Sequence, residues 1–501
     1  MPSRPTYLVV TAAPSPHRNN TPDRVNIFLN RGLNCAVLKK SFTFQKSVPT
    51  VICVASTLFL SCCSEVSQDV QRLKPAYATS NTSGPSLQFK SSGASVPAPN
   101  VKGMDGLPAL VKGTLETQSE ILAAAENFES ALARIGVAQS GYLPQLSLGI
   151  SGGVLGDDQA KLRPQLTGTQ LLYDFGRTRR AVSRGELAAQ YAHLEFLDTV
   201  IDNLAETAIA QARYKGLGAE ATEAQARLTT MTRISTLISE RESEGLADVT
   251  GGLEARRRVQ TAETILLQVQ VAQNAAQRDL ERRTGVSRAL LNVPMTKTTP
   301  GCGTAPALDQ IPAVLMSRLD YSTSQTVMED AQKSRLPVIS LKASTTPDSG
   351  SRASTRVGVN IGVSAPVFQG GAARAQSASA VRDMNAAAAR IQAETEDARN
   401  DFDDAVSDAD DASVIIGSLE RQAVLLDDTR ALYQSQYLQL GNRSLNDLLD
   451  AEEEYYQVRQ DIAFSRTDHA IAQIECLKAS GAVLSAFGLT DRVLFGLILA
   501  P

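Results

Sequence analysis

Apolar and polar residues along this chain follow two periods, and the two alternate in blocks. In Arg356–Pro366, RVGVNIGVSAP, the apolar Val357, Val359, Ile361, Val363 and Ala365 interleave with Arg356, Gly358, Asn360, Gly362 and Ser364. A period of two predicts a strand with one apolar face and one small or polar face. Leu146, Leu148 and Ile150 repeat the pattern, as do Ile339, Leu341 and Ala343, and it is weaker over Leu166–Leu172. Four strands of about ten residues are therefore expected. An ordinary sheet resting on a core would satisfy the alternation. Four strands cannot close a barrel, and open sheet edges are not tolerated in lipid.

The second period is helical. Each second strand leads through Gly176 or Gly371 into a long uninterrupted pattern; from Gly371 to Leu440 there is no proline and the only internal glycine is Gly417. Seventy residues at 1.5 Å each make roughly 105 Å of helix, far beyond a typical globular helix. Within it Phe402, Ala409, Ile416 and Ala423 recur every seven residues, and Ala405, Ala412, Leu419 and Leu426 follow each by three. That is an a/d seam whose small residues allow close approach. Breaks at Gly245 and Gly441 predict return helices, hence antiparallel hairpins about 100 Å long.

The blocks occur twice. GYLPQLSLGISGG at 141–153 matches SRLPVISLKASTT at 334–346, and LLYDFGRTRRA at 171–181 matches PVFQGGAARAQ at 366–376. GLADVTGGLEA at 245–255 matches GNRSLNDLLDA at 441–451, and RRTGV and KASGA place Gly285 over Gly481. The offsets are 193, 195, 196 and 196 residues. A register this constant marks a tandem duplication of a unit of about 195 residues. The expected organisation is an upstream extension and signal peptide over 1–63, a Ser/Pro-rich linker over 64–104, and a first repeat over 105–290. An inter-repeat linker over 291–312, a second repeat over 313–487 and a tail over 488–501 follow.

Composition narrows the function. There is no Trp, aromatics are 5%, and the net charge of −4 argues against nucleic acid as a partner. The three histidines, His17, His193 and His469, are too scattered for a metal cluster, and there is no Walker motif or GxSxG. An enzyme is not expected, nor a cofactor. In the stretch VLKKSFTFQKSVPTVICVASTLFLSCCSEV, Lys39, Lys40 and Lys46 precede an apolar region of 14 residues, Val48–Ser61. That is too short to span a bilayer as a helix and suits a bacterial signal peptide. The 36 residues before it fit no signal peptide, which points to a start nearer Val37. LFLSCC partly matches a lipobox, so Cys62 and Cys63 are both candidates for lipidation. Cys302 and Cys476 would remain in an oxidising compartment, where they could pair.

Strand pairs feeding long helices, duplicated behind a secretion signal, resemble the TolC family of outer-membrane efflux and secretion ducts. The resemblance covers about 106–487. It is carried most specifically by LLYDFGRTRRA, PVFQGGAARAQ and the second turn, LGNRSLNDLLDAEEEYYQVRQDIAFSRTDHAIAQ. It implies an α+β membrane protein: a homotrimer closing a twelve-stranded transmembrane β-barrel, four strands per chain, continued by a long α-helical coiled-coil barrel across the periplasm. It also implies a passive duct of a tripartite efflux or type I secretion system. Its partners would be outer-membrane lipid, a periplasmic adaptor, and an inner-membrane ABC or RND transporter that supplies the energy. In the family the turns after the long helices form the periplasmic tip, which docks the adaptor and is held shut by a charge network. Carried over, the docking tips are Gly245, Leu246, Ala247, Asp248, Gly441, Asn442, Arg443 and Ser444, and the gate residues are Arg443, Asp447 and Asp450. Two features depart from the pattern: the usual acid of the first turn falls on Gly251, and the usual gate tyrosine falls on Leu438 beside Tyr437.

One feature stands on spacing alone. Asp397, Asp401, Asp404, Asp408 and Asp411 are separated by 4, 3, 4 and 3 residues, one acidic stripe along the second long helix. A solvated face and a cation-favouring tunnel lining both fit it, and it could face the lumen or the periplasm. The principal alternative to a duct is a secreted or lipid-anchored coiled-coil scaffold without a pore. An enzyme using Asp447 with Asp450 as an acid/base pair is the weakest, since a helix turn offers no concave pocket.

Overall fold

The computed structural model describes residues 106–500 apart from 154–160, 247, 296–301, 303–304, 348–354 and 491. Contacts divide the chain at residue 66, and the unit described is that from 67 onward. The signal segment, Cys62, Cys63 and the 64–104 linker lie outside the described residues.

In chain order the elements are α1 (Ala109–Thr117), α2 (Ser119–Gln139), β1 (Gln145–Gly153), β2 (Lys161–Tyr173), α3 (Arg177–Ser243) and α4 (Val249–Thr284). The second repeat gives α5 (Pro312–Gln332), β3 (Val338–Pro347), β4 (Thr355–Ser364), α6 (Ala372–Ser435) and α7 (Leu445–Ala479). A short helix α8 (Val483–Ala486) and a small hairpin, β5 (Val493–Leu494) with β6 (Leu497–Ile498), complete the chain. Each repeat is thus helix, strand, strand, long helix, return helix.

The strands form one antiparallel sheet in the order β1-β2-β3-β4, so the duplicated hairpins lie side by side. Register sorts its faces. Leu148 opposes Leu166, Ile339 opposes Val363, Leu341 opposes Ile361, and Ala343 opposes Val359, all on one face. Ser147 opposes Thr167, Ser340 opposes Gly362 and Lys342 opposes Asn360 on the other. Among the described residues nothing covers the apolar face: Leu146, Leu148, Ile150, Val357, Val359, Ile361 and Val363 are each 65–70% exposed.

Left-handed glycines make the corners. Gly176 (φ 78°) and Gly371 (φ 88°) start the long helices, and Gly245 (φ 75°) and Gly441 (φ 62°) end them; L side chains rarely adopt that backbone. With 67 residues α3 runs about 100 Å, and α6, with 64, about 96 Å. The return helices α4 and α7 have 36 and 35 residues, about 54 Å each. The hairpins are therefore paired over only half of the expected length. Beyond the return helices, α2 packs on α3 and α5 on α6, so each long helix is covered by two shorter ones end to end. Contacts also join α3 to α7 and α5, which orders the layer α4/α2, α3, α7/α5, α6.

The expected seam on α6 is where α6 meets its neighbours: Phe402, Ala405, Ala409 and Ala423 are buried. The largest apolar cluster lies along the strand-side half of α3. There Leu194, Phe196, Leu197, Val200 and Leu204 meet Leu110, Ile121 and Phe128, together with Leu484, Phe487, Leu494, Leu497 and Leu499 from the C-terminal segment. Leu489, Leu494, Leu497 and Leu499 of the tail are thus part of the core, with His193 Nε2 3.0 Å from the Ile498 carbonyl oxygen.

Candidate functional site

The two helix turns, at equivalent places in the two sequence repeats, lie side by side. Arg241 Nη1 donates to the Leu438 carbonyl at 3.5 Å, and its guanidinium sits 5.5 Å from the Tyr437 ring centre. A Cβ on Gly251 would lie 3.1 Å from Leu445 Cδ2; the position without its acid is a packing contact between the turns. Behind them Met231, Ile234 and Ile238 of α3, Ala255 and Ala262 of α4 and Leu449 of α7 form an apolar plug.

Of the tip residues, Gly245, Leu246, Asp248, Gly441, Asn442, Arg443 and Ser444 fall on these turns, and Ala247 lies outside the described residues. Before Gly441 the chain makes a π-helical turn, Gln436–Leu440. Ser444 caps α7, its Oγ accepting from the Asp447 amide at 3.1 Å.

The three residues matched to a gate do not act as one group within the chain. Arg443 Nε lies 3.5 Å from Asp447 Oδ2, and its guanidinium is 3.9 Å from the Tyr433 ring centre. Asp450 instead accepts from Arg258 Nη2 of α4 at 2.7 Å. The reason is helical phase, because three residues carry Asp450 60° round and one turn up from Asp447.

Arg258 opens a denser network that sequence reading missed. It also binds Glu453 of α7 and, at 2.9 Å, Glu254. Glu453 accepts in turn from Arg227 Nη2 of α3 at 2.7 Å. Three helices, α3, α4 and α7, are tied at this level. Hydrogen bonds from Arg257 and then Arg258 hold the Glu254 carboxyl down to about 2. Burial, and then the Arg258 cation, lower the pKa of Arg227. The traces in sequence are Arg256–Arg258, directly after the first turn, and Glu452–Glu454 after the second.

On the other flank of α7, Glu452 is fully buried, and Arg430 Nη1 of α6 donates to its Oε2 at 3.3 Å. Burial pushes its pKa up, against the pull of Arg430.

Asp397, Asp401, Asp404, Asp408 and Asp411 are all exposed. They occupy one flank of the α6 seam. Glu420, Val424 and Asp427, on its other flank, line a groove of about 720 Å³ between α3, α7 and α6, into which Met295 and Phe487 also face. Cys302 and Cys476 form a disulfide with Cα atoms 5.4 Å apart, tying the inter-repeat segment to the end of α7. Among the described residues no group of His, Cys, Asp or Glu could hold a metal ion, and no helix is long and apolar enough to cross a membrane.

The family model described as outer membrane efflux protein matches residues 110–286 and 305–482, one match per repeat. The chain belongs to the outer membrane efflux protein family. Its place is the bacterial outer membrane, with helices extending into the periplasm, and its class is the efflux channel. No curated protein sequence matches it. Among solved structures it is similar to the outer membrane protein VceC of Vibrio cholerae, with TM-score 0.64 and 18% identity over 74% of this chain and 95% of that one. The open-state MtrE outer membrane channel of Neisseria gonorrhoeae gives 0.64 and 17% over 81% and 98%. A membrane protein of Pseudomonas aeruginosa gives 0.65 and 18% over 78% and 97%. At these identities the likeness is one of fold.

Proposed function

We propose that three copies of this chain form a passive duct, loaded through a periplasmic adaptor by an inner-membrane ABC or RND transporter in a tripartite efflux or type I secretion system. The observation that carries this reading is the sheet. Among the described residues its apolar face is bare, and both its edges, β1 and β4, are unpaired. An isolated sheet of this kind is an aggregation hazard in water and inadmissible in lipid. Three copies remove the problem: β4 runs opposite to β1, so β4 of one chain pairs antiparallel with β1 of the next, and twelve strands close. The apolar face then meets lipid while Ser147, Thr167, Ser340, Lys342, Ser344 and Asn360 line the bore.

The helical layer supports the same assembly, having two open edges. On α4, Val249, Leu253, Leu267 and Val271 are 54–67% exposed, and on α6, Val414, Leu425 and Leu432 are 53–70% exposed. Edge against edge is a head-to-tail contact that closes into a ring.

The ring also assigns the acidic stripe. Twelve helices spaced 8–10 Å apart make a tube about 35 Å across between axes, leaving about 25 Å clear. Three copies of the segments bearing Met295 and Phe487 would obstruct such a bore, so the groove flank of α6 faces outward. Asp397, Asp401, Asp404, Asp408 and Asp411, on the opposite flank, line the lumen and favour cations. The turns form the periplasmic entrance, with Arg443 and Asp447 at its mouth and the Arg258 network just behind.

The test is single-channel conductance of the purified trimer in planar bilayers, beside an Asp447→Ala/Asp450→Ala variant. Small cation-selective openings that grow or lose selectivity in the variant fit a duct gated at the second turn. Openings that ignore the variant would move the gate elsewhere. Folded trimers without conductance would leave the scaffold reading.

A further inference from the structure

Within the reading of a duct gated at its tip, we propose that Glu452 is a proton-responsive latch: protonated, it holds α6, α7 and α3 together; ionised, it favours their parting.

Glu452 is the one glutamate among the described residues with no exposed surface. It lies about 12 Å along α7 from the cap at Ser444, on the level of the Arg258 network. From α6 it is faced by Arg430 and Asp427, and from α3 by Arg233. On α7 itself, the Tyr455 ring lies 4.2 Å beneath the Arg430 guanidinium. The carboxylate is poorly supplied. Its Oε1 has no hydrogen-bond partner, and its Oε2 has the 3.3 Å bond from Arg430. Arg430 makes a shorter bond, 2.7 Å, to Asp427, so its charge is already compensated.

A buried carboxylate with one long hydrogen bond and an empty oxygen is costly; a neutral carboxylic acid in the same place costs far less. Protonation removes the charge and supplies an O–H donor, and Asp427 keeps Arg430 neutralised. Because Glu452 is wedged between three helices, any parting of α6 and α7 from α3 brings it water, and water favours the charged form.

The sign follows from linkage. The packed tip binds this proton more tightly than the parted tip, so acid favours the packed tip and neutral pH favours opening. Each unit of pKa difference between the two states biases the equilibrium about tenfold per chain. Three chains moving together multiply that bias to roughly a thousandfold.

The experiment compares full-length trimers of wild type, Glu452→Gln and Arg430→Gln in planar bilayers between pH 8 and pH 5. Trimer integrity is checked by resistance to heat in detergent. The wild-type open fraction is expected to fall tenfold or more on acidification. Glu452→Gln, isosteric with the protonated acid, should stay at the low acidic level at every pH. Arg430→Gln, which weakens only the charged form, should move the transition to higher pH. A wild-type pH response retained in Glu452→Gln, or a raised open fraction in that variant, overturns the latch while leaving the duct standing. Folded trimers that conduct in no variant overturn the duct, and the latch with it.

Discussion

Removing Glu453, Arg258 or Asp450 one at a time should loosen the tip by very different amounts, and burial sets the order. Glu453→Gln withdraws the acceptor shared by Arg227 and Arg258. The Arg227 side chain is 6% exposed, and its Nε already lacks a partner. A buried guanidinium left without its carboxylate costs about 3–5 kcal/mol. Arg258→Gln leaves Glu453 on Arg227 and Glu254 on Arg257 and frees Asp450, which water can reach; the loss is about 1.5–3 kcal/mol. Asp450→Asn weakens a pair whose acid is 63% exposed, worth about 1 kcal/mol or less.

If these bonds part when the tip opens, each 1.4 kcal/mol changes the open-to-closed ratio about tenfold. Counted per chain, the open-to-closed ratio should then rise by two orders of magnitude or more for Glu453→Gln, by one to two for Arg258→Gln, and by less than about fivefold for Asp450→Asn, each factor compounding over the three chains that part together. Single-channel recording at fixed pH and salt measures all three. Raising the salt should narrow the gap for Asp450 and leave Glu453 unmoved, because exposed pairs are screened and buried ones are not. Equal effects for Asp450→Asn and Glu453→Gln would refute the reasoning, since they would place the restraint at the mouth instead of behind it.

Four further outcomes are expected. The Cys302–Cys476 link closes a loop with a sequence separation of 174, so the double alanine variant should lose up to about 5 kcal/mol, seen as a lower denaturant midpoint that reductant lowers in wild type only. A Cβ at Gly216 would lie 1.9 Å from Thr467 Oγ1 and 2.8 Å from Thr467 Cβ. Overpacking of about 1–3 kcal/mol therefore outweighs the helix-propensity gain of about 1 kcal/mol in Gly216→Ala, and adding Thr467→Ala should recover part of the loss in a double-mutant cycle. Ile361→Arg on the bare sheet face should cut insertion into vesicles by an amount equivalent to about 2–4 kcal/mol, whereas Asn360→Arg on the opposite face should insert normally. Burial pushes the His193 pKa down, opposed by its bond with Ile498. Its contribution is therefore present above about pH 6.5 and lost as pH falls below that value, where the unfolded imidazole takes a proton; hydrogen exchange in residues 488–500 at pH 5.5 against pH 7.5 reads it.

What could be read in the sequence was whatever repeats locally. Val357, Val359, Ile361 and Val363 set a face by period two, Phe402, Ala409 and Ala423 a seam by period seven, and Gly176, Gly371, Gly245 and Gly441 the corners. Each is a statement about a residue and its near neighbours on one element. The half-length of the return helices was not legible in this way, because the segments that complete the layer, α2 and α5, precede the strands instead of following the turns. The candidate site was legible to the same depth. Arg443 and Asp447, named with Asp450 only through the family resemblance, meet within one turn. Asp450 with Arg258 joins residues 192 apart, and nothing in either stretch names the other. The run Glu452-Glu453-Glu454 shows the limit most plainly. Three identical side chains in succession look like one acidic surface, yet each step turns about 100° around α7. Glu452 is buried toward α6, Glu453 is half-buried against Arg227 and Arg258, and Glu454 is exposed. Their chemistry diverges accordingly: a carboxyl that resists ionisation, an anion that binds two helices, and a solvated charge. Phase, not composition, decides which is which, and phase acquires meaning only when the neighbouring helices are in place.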